Sequence, residues 1–201
     1  MHDLMTAARR FPETVSADPQ RWARLSAPQE PEVLLVTCSD SRVVPAAVLD
    51  AGPGRVFELR NAGAVVPPHV PGRAGAEQAT LEYAVRVLGI RDVVVMGHSG
   101  CGAVGALVGR DVPAVEVPEV GAWLAPLPVP RDDDTPERES GAPPLAVAVQ
   151  EHVLHQVAAL ATHPVVDEGV RVHAWFLDLT RGRVLRHDPA AGAGHEGFVA
   201  L

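Results

Sequence analysis

Cysteine, aromatic side chains and clustered basic residues are all scarce in this sequence. Only two cysteines occur in 201 residues, and aromatic residues make up 4% of the chain. A disulfide framework is therefore excluded as the source of stability, and a chain of this length can bury a sufficient core without one. The net charge of −8 and the lack of a basic patch argue against nucleic acid or an anionic membrane as a partner.

The sequence also lacks a long apolar run. Its first residues, MHDLMTAARRF, contain no apolar segment typical of a signal peptide, and no run approaches the roughly 20 residues of a membrane span. We therefore expect a cytoplasmic protein without a membrane partner. In that compartment two cysteines are more often metal ligands or catalytic groups than a disulfide.

What the sequence does contain is 47% hydrophobic residues, concentrated in four apolar stretches. These stretches predict buried strands over 32–37, 55–60, 92–97 and 170–177. The segments between them have helical periodicity, which is clearest over 74–88 and 145–161. This alternation predicts an α/β fold with a mainly parallel four-stranded sheet flanked by helices.

The remaining segments complete the predicted organisation as a single domain over 1–201. The tripeptide GRV at 182–184 indicates a hairpin that adds a short antiparallel edge strand. Residues 126–144 are rich in proline and charge, so we expect a flexible, solvated loop there.

Two polar clusters follow predicted strands: CSDSR at 38–42 and GHSGCG at 97–102. Ligands of open parallel sheets bind beyond the carboxyl ends of the strands, so we expect both clusters at one site. Cys38, His98 and Cys101 would then place two sulfurs and one imidazole nitrogen around a common point. Zinc takes such ligands, and three of them leave a fourth tetrahedral position open, which is typical of catalytic sites.

Other interpretations of the same residues were weighed. A cysteine phosphatase loop needs five residues between its Cys and Arg, but only three separate Cys38 from Arg42. A hydrolase nucleophile elbow around Ser99 would need glycine where Cys101 stands. Two buried free cysteines and a core histidine would explain either cluster alone, but less readily both clusters at adjacent strand ends.

These motifs resemble those of the β-class carbonic anhydrases. The resemblance runs from about residue 29 to 178 and is carried by CSDSRV, PGRVFELRNAG, TLEYAVRVLG and GHSGCGAV, in that order. It implies one zinc ion per chain on Cys38, His98 and Cys101, and reversible hydration of carbon dioxide to bicarbonate and a proton by a zinc-bound hydroxide. Asp40 would orient that hydroxide, and Arg42 would hold Asp40 in place.

The resemblance also implies a substrate pocket and a homodimer, and it leaves open whether dimers pair into a tetramer. Part of the pocket wall would come from the second protomer, and residues 1–25 would form an arm across it. The positions that match the family's pocket residues are Gln29, Phe57, Ala62, Tyr83 and Gly102.

Departures from the family pattern carry predictions of their own. Some members hold an inhibitory bicarbonate with a Trp, an Arg and a Tyr, and the matching positions here are Leu35, Arg60 and Leu177. We therefore expect this anion site to be missing. His152 stands where Asn is common, and so does Ala64, which puts local hydrogen bonds in doubt.

Two alternatives to carbon dioxide hydration stay open from the sequence. The same site could hydrolyse carbonyl sulfide or carbon disulfide, which are related linear substrates. A zinc-binding homologue that has lost turnover is the other alternative, and intact Asp40, Arg42 and Gln29 argue against it.

Overall fold

The computed structural model describes residues 1–109, 117–128 and 145–201 of the chain. A single sheet organises them, and it confirms the predicted mainly parallel α/β fold. Its strands are β1 (Val33–Cys38), β2 (Val56–Asn61), β3 (Asp92–His98), β4 (Arg171–Asp178), β5 (Arg183–His187) and β6 (Phe198–Ala200). Their order across the sheet is β2-β1-β3-β4-β5-β6; the first four are parallel and the last two antiparallel.

The predicted strand count was one too low. We expected one antiparallel edge strand after the parallel four, and β5 occupies that place by pairing with β4. A further strand, β6, then pairs antiparallel with β5. β6 has only three residues and follows a glycine-rich segment, so its apolar pattern is too short to predict a strand from sequence.

Helices fill the connections between the strands. They are α1 (His2–Ala17), α2 (Pro19–Leu25), α3 (Pro45–Val48), α4 (Ala76–Glu82), α5 (Gly102–Leu107), α6 (Pro118–Leu124) and α7 (Leu145–Leu160). The helix predicted over 74–88 is α4 followed by a π-helical turn, Tyr83–Val87, and the helix predicted over 145–161 is α7. Most of the loop predicted over 126–144 lies outside the described residues. None of the helices within the described ranges combines the length and the apolar character that crossing a bilayer requires.

The central strands are buried on both faces, which explains their continuous apolar sequences. Leu34 and Val36 of β1 point into the larger core cluster, together with side chains of α4 and α7. Leu35, between them in sequence, points into a smaller cluster on the opposite face with Val43 and Met96. The sheet is therefore a central layer covered on both sides.

The packing brings the carboxyl ends of β1 and β3 to the same edge of the sheet. The two strands are adjacent and parallel, and Thr37 of β1 pairs with Met96 of β3. Helix α7 packs closely against this end of β3, because a Cβ atom on Gly97 would lie only 2.6 Å from Val153 Cγ2. Both predicted polar clusters begin at this edge.

Candidate metal centre

Two cysteines and a histidine meet at the carboxyl edge of the sheet. Cys38 is the last residue of β1, His98 is the last residue of β3, and Cys101 directly precedes α5. All three are buried, and their potential ligand atoms lie within 4.8 Å of one another. The two Sγ atoms are 4.0 Å apart. The structure therefore brings together the three side chains that the sequence predicted as ligands.

The His98 imidazole is oriented towards this cluster by its own backbone. Its Nδ1–H donates to the Ser99 carbonyl at 3.1 Å, which leaves the Nε2 lone pair free. That Nε2 is buried and has no hydrogen-bond partner among the described residues. Zinc at its usual bond lengths to sulfur and nitrogen separates its tetrahedral ligand atoms by roughly 3.5 to 3.8 Å, so the two thiols and the unpaired nitrogen fit it.

The two cysteines hold their protons unequally. The Cys101 thiol donates to the Cys38 sulfur, and this lowers the pKa of Cys38 to about 4. The backbone N–H groups of Gly63 and Asp40 also favour the Cys38 thiolate. The pKa of Cys101 is raised by the neighbouring Cys38 sulfur and by burial. Holding both sulfurs as thiolates therefore requires a cation between them.

Asp40 lies beside this cluster and is held by Arg42. The Arg42 guanidinium donates through Nε to Asp40 Oδ1 at 3.0 Å and through Nη2 to Oδ2 at 2.7 Å. These bonds hold the pKa of Asp40 well below the usual carboxyl range. Asp40 Oδ2 is 3.8 Å from His98 Nε2, so an ionised carboxylate faces the centre. Arg42 also donates to the Gly100 carbonyl at 3.0 Å, which ties the two polar clusters together.

Arg60 organises the turn that carries Cys38 and Asp40, a role that the sequence did not reveal. From β2 its guanidinium donates to the backbone carbonyls of Cys38, Asp40 and Val43, at distances between 2.9 and 3.2 Å. Three carbonyls of one turn are therefore held by one side chain. The only local sequence signal was an arginine at the last position of the strand predicted over 55–60.

The three positions that match the family's anion site make other contacts in this chain. Leu35 and Leu177 are both buried in the apolar cluster with Val43 and Met96. Arg60, the one polar residue of that trio, is engaged with the turn carbonyls. All three side chains are therefore engaged in other contacts, and the missing anion site stays a prediction.

The predicted pocket residues fall into two groups. Ala62 and Gly102 follow the carboxyl ends of β2 and β3 and are exposed near the centre. Ala62 also accepts a hydrogen bond at 2.9 Å from the indole of Trp123.

The second group lies away from the centre of its own chain. Phe57 and Tyr83 stack with ring centroids 6.1 Å apart, and Tyr83 is 44% exposed. Phe57 precedes Asn61, the β2 residue paired with Cys38, by four residues, which is about 13 Å along a strand. Gln29 is exposed before the amino end of β1. The structure therefore does not bring these three residues to the metal centre within one chain.

Comparison with known proteins identifies the family. A family model described as "Carbonic anhydrase" matches residues 33–184. The solved structure of the β-carbonic anhydrase CcaA superposes with a TM-score of 0.85 and 30% sequence identity, covering 100% of this chain and 99% of that one. The chain belongs to the β-class carbonic anhydrases. The family resemblance read from its motifs is thereby confirmed.

Further relatives agree with this assignment. A carbonic anhydrase of Pseudomonas aeruginosa is 38% identical over 208 aligned positions, covering 100% of this chain and 92% of its relative. The structure of a β-carbonic anhydrase from Sordaria macrospora, described as tetrameric, has a TM-score of 0.73 at 28% identity and covers 92% of this chain and 94% of its own. As a family member the chain is assigned to the carbonic anhydrase class of enzymes.

Proposed function

We propose that this chain is a zinc-dependent enzyme that reversibly hydrates carbon dioxide to bicarbonate and a proton. One zinc ion per chain would be held by Cys38, His98 and Cys101. The observation that carries the proposal is the buried, unpaired Nε2 of His98 beside two thiols, all within 4.8 Å and facing a carboxylate. The two cysteines are free thiols, which is consistent with a cytoplasmic location.

The chemistry that zinc supplies when bound is a nucleophilic hydroxide near neutral pH, less readily formed here than at a three-histidine site because two thiolates offset the metal charge. The chain's own groups would orient the reaction. Asp40, held in place by Arg42, would accept a hydrogen bond from the attacking oxygen and so orient it towards the carbon of carbon dioxide. The new C–O bond gives bicarbonate, and the released proton passes to solvent.

We further infer that the active site is completed by a second copy of the chain. Ala62 and Gly102 lie at the centre in one protomer, whereas Gln29, Phe57 and Tyr83 do not. The half-buried aromatic pair and Gln29 would line the cleft of the partner. The corresponding organisation is a single domain over 1–201 that includes an arm over 1–25, since one sheet organises the described residues.

The arm supports this homodimer. Neither α1 nor α2 contributes a buried residue to its own chain. Leu4, Met5 and Phe11 of α1 are each about half exposed or more. A helix that presents large apolar side chains and buries none of them is stable only when another surface covers it.

Sedimentation velocity tests the homodimer. We expect the full chain to sediment with at least twice the 21.2 kDa chain mass, and deletion of residues 1–25 to weaken the association. Circular dichroism of the shortened chain provides the folding control. A full-length chain that is monomeric at assay concentration and fully active would contradict the shared site.

Stopped-flow hydration of carbon dioxide by the zinc-loaded protein tests the activity. We expect one zinc per chain and a rate well above background that rises towards alkaline pH. Cys101→Ala should lose zinc and all measurable activity, because two remaining ligands cannot hold the ion tightly. A protein that binds one zinc per chain yet hydrates no carbon dioxide would refute the proposal, and carbonyl sulfide would then be the substrate to assay.

A further inference from the structure

A short loop over residues 61–66 begins at the last residue of β2 and lies beside Cys38. Asn61 pairs with Cys38 across the sheet, and its carbonyl accepts a hydrogen bond from Ser39 N–H at 2.9 Å. Gly63 has φ +86°, and a Cβ atom there would lie 3.1 Å from Ala103 Cβ. Glycine is therefore required where the loop passes between β1 and α5.

The side chains that hold this loop come from α7, about ninety residues later in the sequence. His152 Nε2–H donates to the Gly63 carbonyl at 2.8 Å. Gln156, one helical turn on, accepts from Val66 N–H at 2.9 Å, and its amide nitrogen lies 3.5 Å from His152 Nδ1. Both side chains are almost fully buried. The two bonds therefore fix both the middle and the end of the loop.

The protonation state of His152 suits this arrangement. Burial lowers the pKa of His152, so the imidazole is neutral. A neutral ring with Nε2–H directed at Gly63 has its lone pair on Nδ1, where Gln156 can donate. Gln156 thus selects the tautomer that binds the loop.

The same helix also supports the strand that carries His98. A Cβ atom on Gly97 would lie 2.7 Å from Val149 Cγ1 and 2.6 Å from Val153 Cγ2, so α7 packs directly on the β3 backbone there. Residues 149, 152, 153 and 156 lie on one face of α7. One helix face therefore contacts the backbone beside two of the three proposed ligands.

We propose that His152, supported by Gln156, is a positioning residue of the metal centre that acts by holding the Gly63 carbonyl and so fixing the 61–66 loop beside Cys38 and α5. This inference rests on the proposed zinc site. It gives a specific role to a residue that departs from the family pattern, and it assigns His152 no contact with substrate.

The chain offers a matched control in His163. This second buried histidine also donates through Nε2 to a loop carbonyl, that of Pro67, at 2.9 Å. Burial likewise lowers its pKa. Pro67 directly follows Val66, at the opposite end of the loop from Asn61, the residue that pairs with Cys38. The His163→Leu variant therefore shows the general effect of removing a buried histidine that binds a loop carbonyl, and His152→Leu is compared with it.

The test is zinc affinity, measured by competition with a chromophoric chelator, and the thiolate-to-metal charge-transfer spectrum of the cobalt-substituted protein. The His152→Leu substitution should lower the zinc affinity about 10- to 100-fold and shift the charge-transfer spectrum of the cobalt protein. The His163→Leu substitution should change the zinc affinity by less than about threefold. His152→Gln, which keeps an N–H donor for Gly63, should restore most of the affinity. The Gln156→Met substitution should lower the zinc affinity by about 3- to 10-fold. This variant tests the same positioning role if His152→Leu does not fold.

The outcomes separate the two proposals. Equal zinc affinity in His152→Leu and His163→Leu, or an unchanged affinity in Gln156→Met, would overturn the positioning role while leaving the zinc site intact. A wild-type protein that binds no zinc would refute the proposed function itself.

Discussion

Two aspartate–arginine pairs lie at opposite ends of the same sheet and are built alike. Asp40 and Arg42 follow the carboxyl end of β1, whereas Asp92 and Arg171 are the first residues of β3 and β4. In each pair the guanidinium donates to both carboxylate oxygens. In each pair these bonds lower the pKa of the carboxyl group. By their mutual contacts alone the two pairs are equivalent.

Their surroundings differ. Each carboxylate has a histidine Nε2 nearby, at 3.8 Å for His98 beside Asp40 and 3.0 Å for His173 beside Asp92. His98 is fully buried, but the His173 side chain is 41% exposed. Within the part of the chain that the structure describes, the two cysteines and His98 are the only group of three or more His, Cys, Asp or Glu side chains close enough to share a metal.

An aspartate–arginine ion pair does not by itself make a functional site. When it is exposed to solvent, such a pair also contributes little to the stability of the fold. The role proposed for the carboxyl-end pair depends on its place, because the parallel strands end there and present two thiols and an imidazole to the same point. The amino-end pair has a half-exposed imidazole beside it but no thiol, so it serves as an internal control for experiments on Asp40 and Arg42.

The largest expected difference between the two ends is in turnover. Asp40→Asn should lower the carbon dioxide hydration rate by about 10²-fold or more while leaving one zinc per chain, because a neutral amide accepts the orienting hydrogen bond more weakly than a carboxylate and can also present its NH₂ group instead. Stopped-flow rates and metal analysis on the same preparation measure both properties.

Asp92→Asn is the matched control for that variant. It breaks an equivalent pair at the other end of the sheet, so its rate should stay within about twofold of the wild type. Should Asp40→Asn lose its zinc in proportion to its rate, Asp40 would be a structural residue. Equal rate losses in the two variants would remove the distinction between the two ends.

Substituting the arginine of each pair should have a smaller effect on the hydration rate. Arg42→Leu should reduce the hydration rate by about tenfold, because Asp40 stays ionised at neutral pH but loses the two bonds that fix its direction. Arg171→Leu should leave the rate unchanged. The measurement is kcat/KM of both variants at one alkaline pH, and a full rate in Arg42→Leu would show that Asp40 needs no such support.

Much of this site could be predicted because its residues lie close to strand ends in the sequence. The apolar runs before Cys38 and His98 predicted β1 and β3 to within a residue, since strands buried on both faces leave an unbroken hydrophobic pattern. Once both strands were assigned to a parallel sheet, the two polar clusters had to meet at one edge. The spacing of His98 and Cys101 then indicated the metal ligands.

What could not be predicted depends on contacts between distant segments. Arg60 reads as an ordinary strand residue until the turn after β1 is folded around it. His152 and Gly63 are 89 positions apart, and no local pattern indicates their hydrogen bond. β6 is too short to leave a periodic signal. Propensity and pattern describe neighbours along the chain, whereas these features arise from contacts between segments that are far apart in the sequence.

The smallest expected effect is on the pH dependence of folding stability, and there the two aspartate–arginine pairs should behave alike. A carboxyl group whose pKa is lowered on folding stabilises the native state above its ordinary pKa of about 3.9, and this contribution is lost as the pH falls through the lowered value. The free energy of unfolding of the wild type should therefore exceed that of Asp40→Asn and of Asp92→Asn near neutral pH, and both gaps should shrink below about pH 4. Urea unfolding of the three proteins at a series of pH values, with a chelator present so that metal release does not contribute, measures the gaps. A gap that stays constant down to low pH would mean that the substitution acts through packing, and the pair concerned would no longer match its counterpart at the other end.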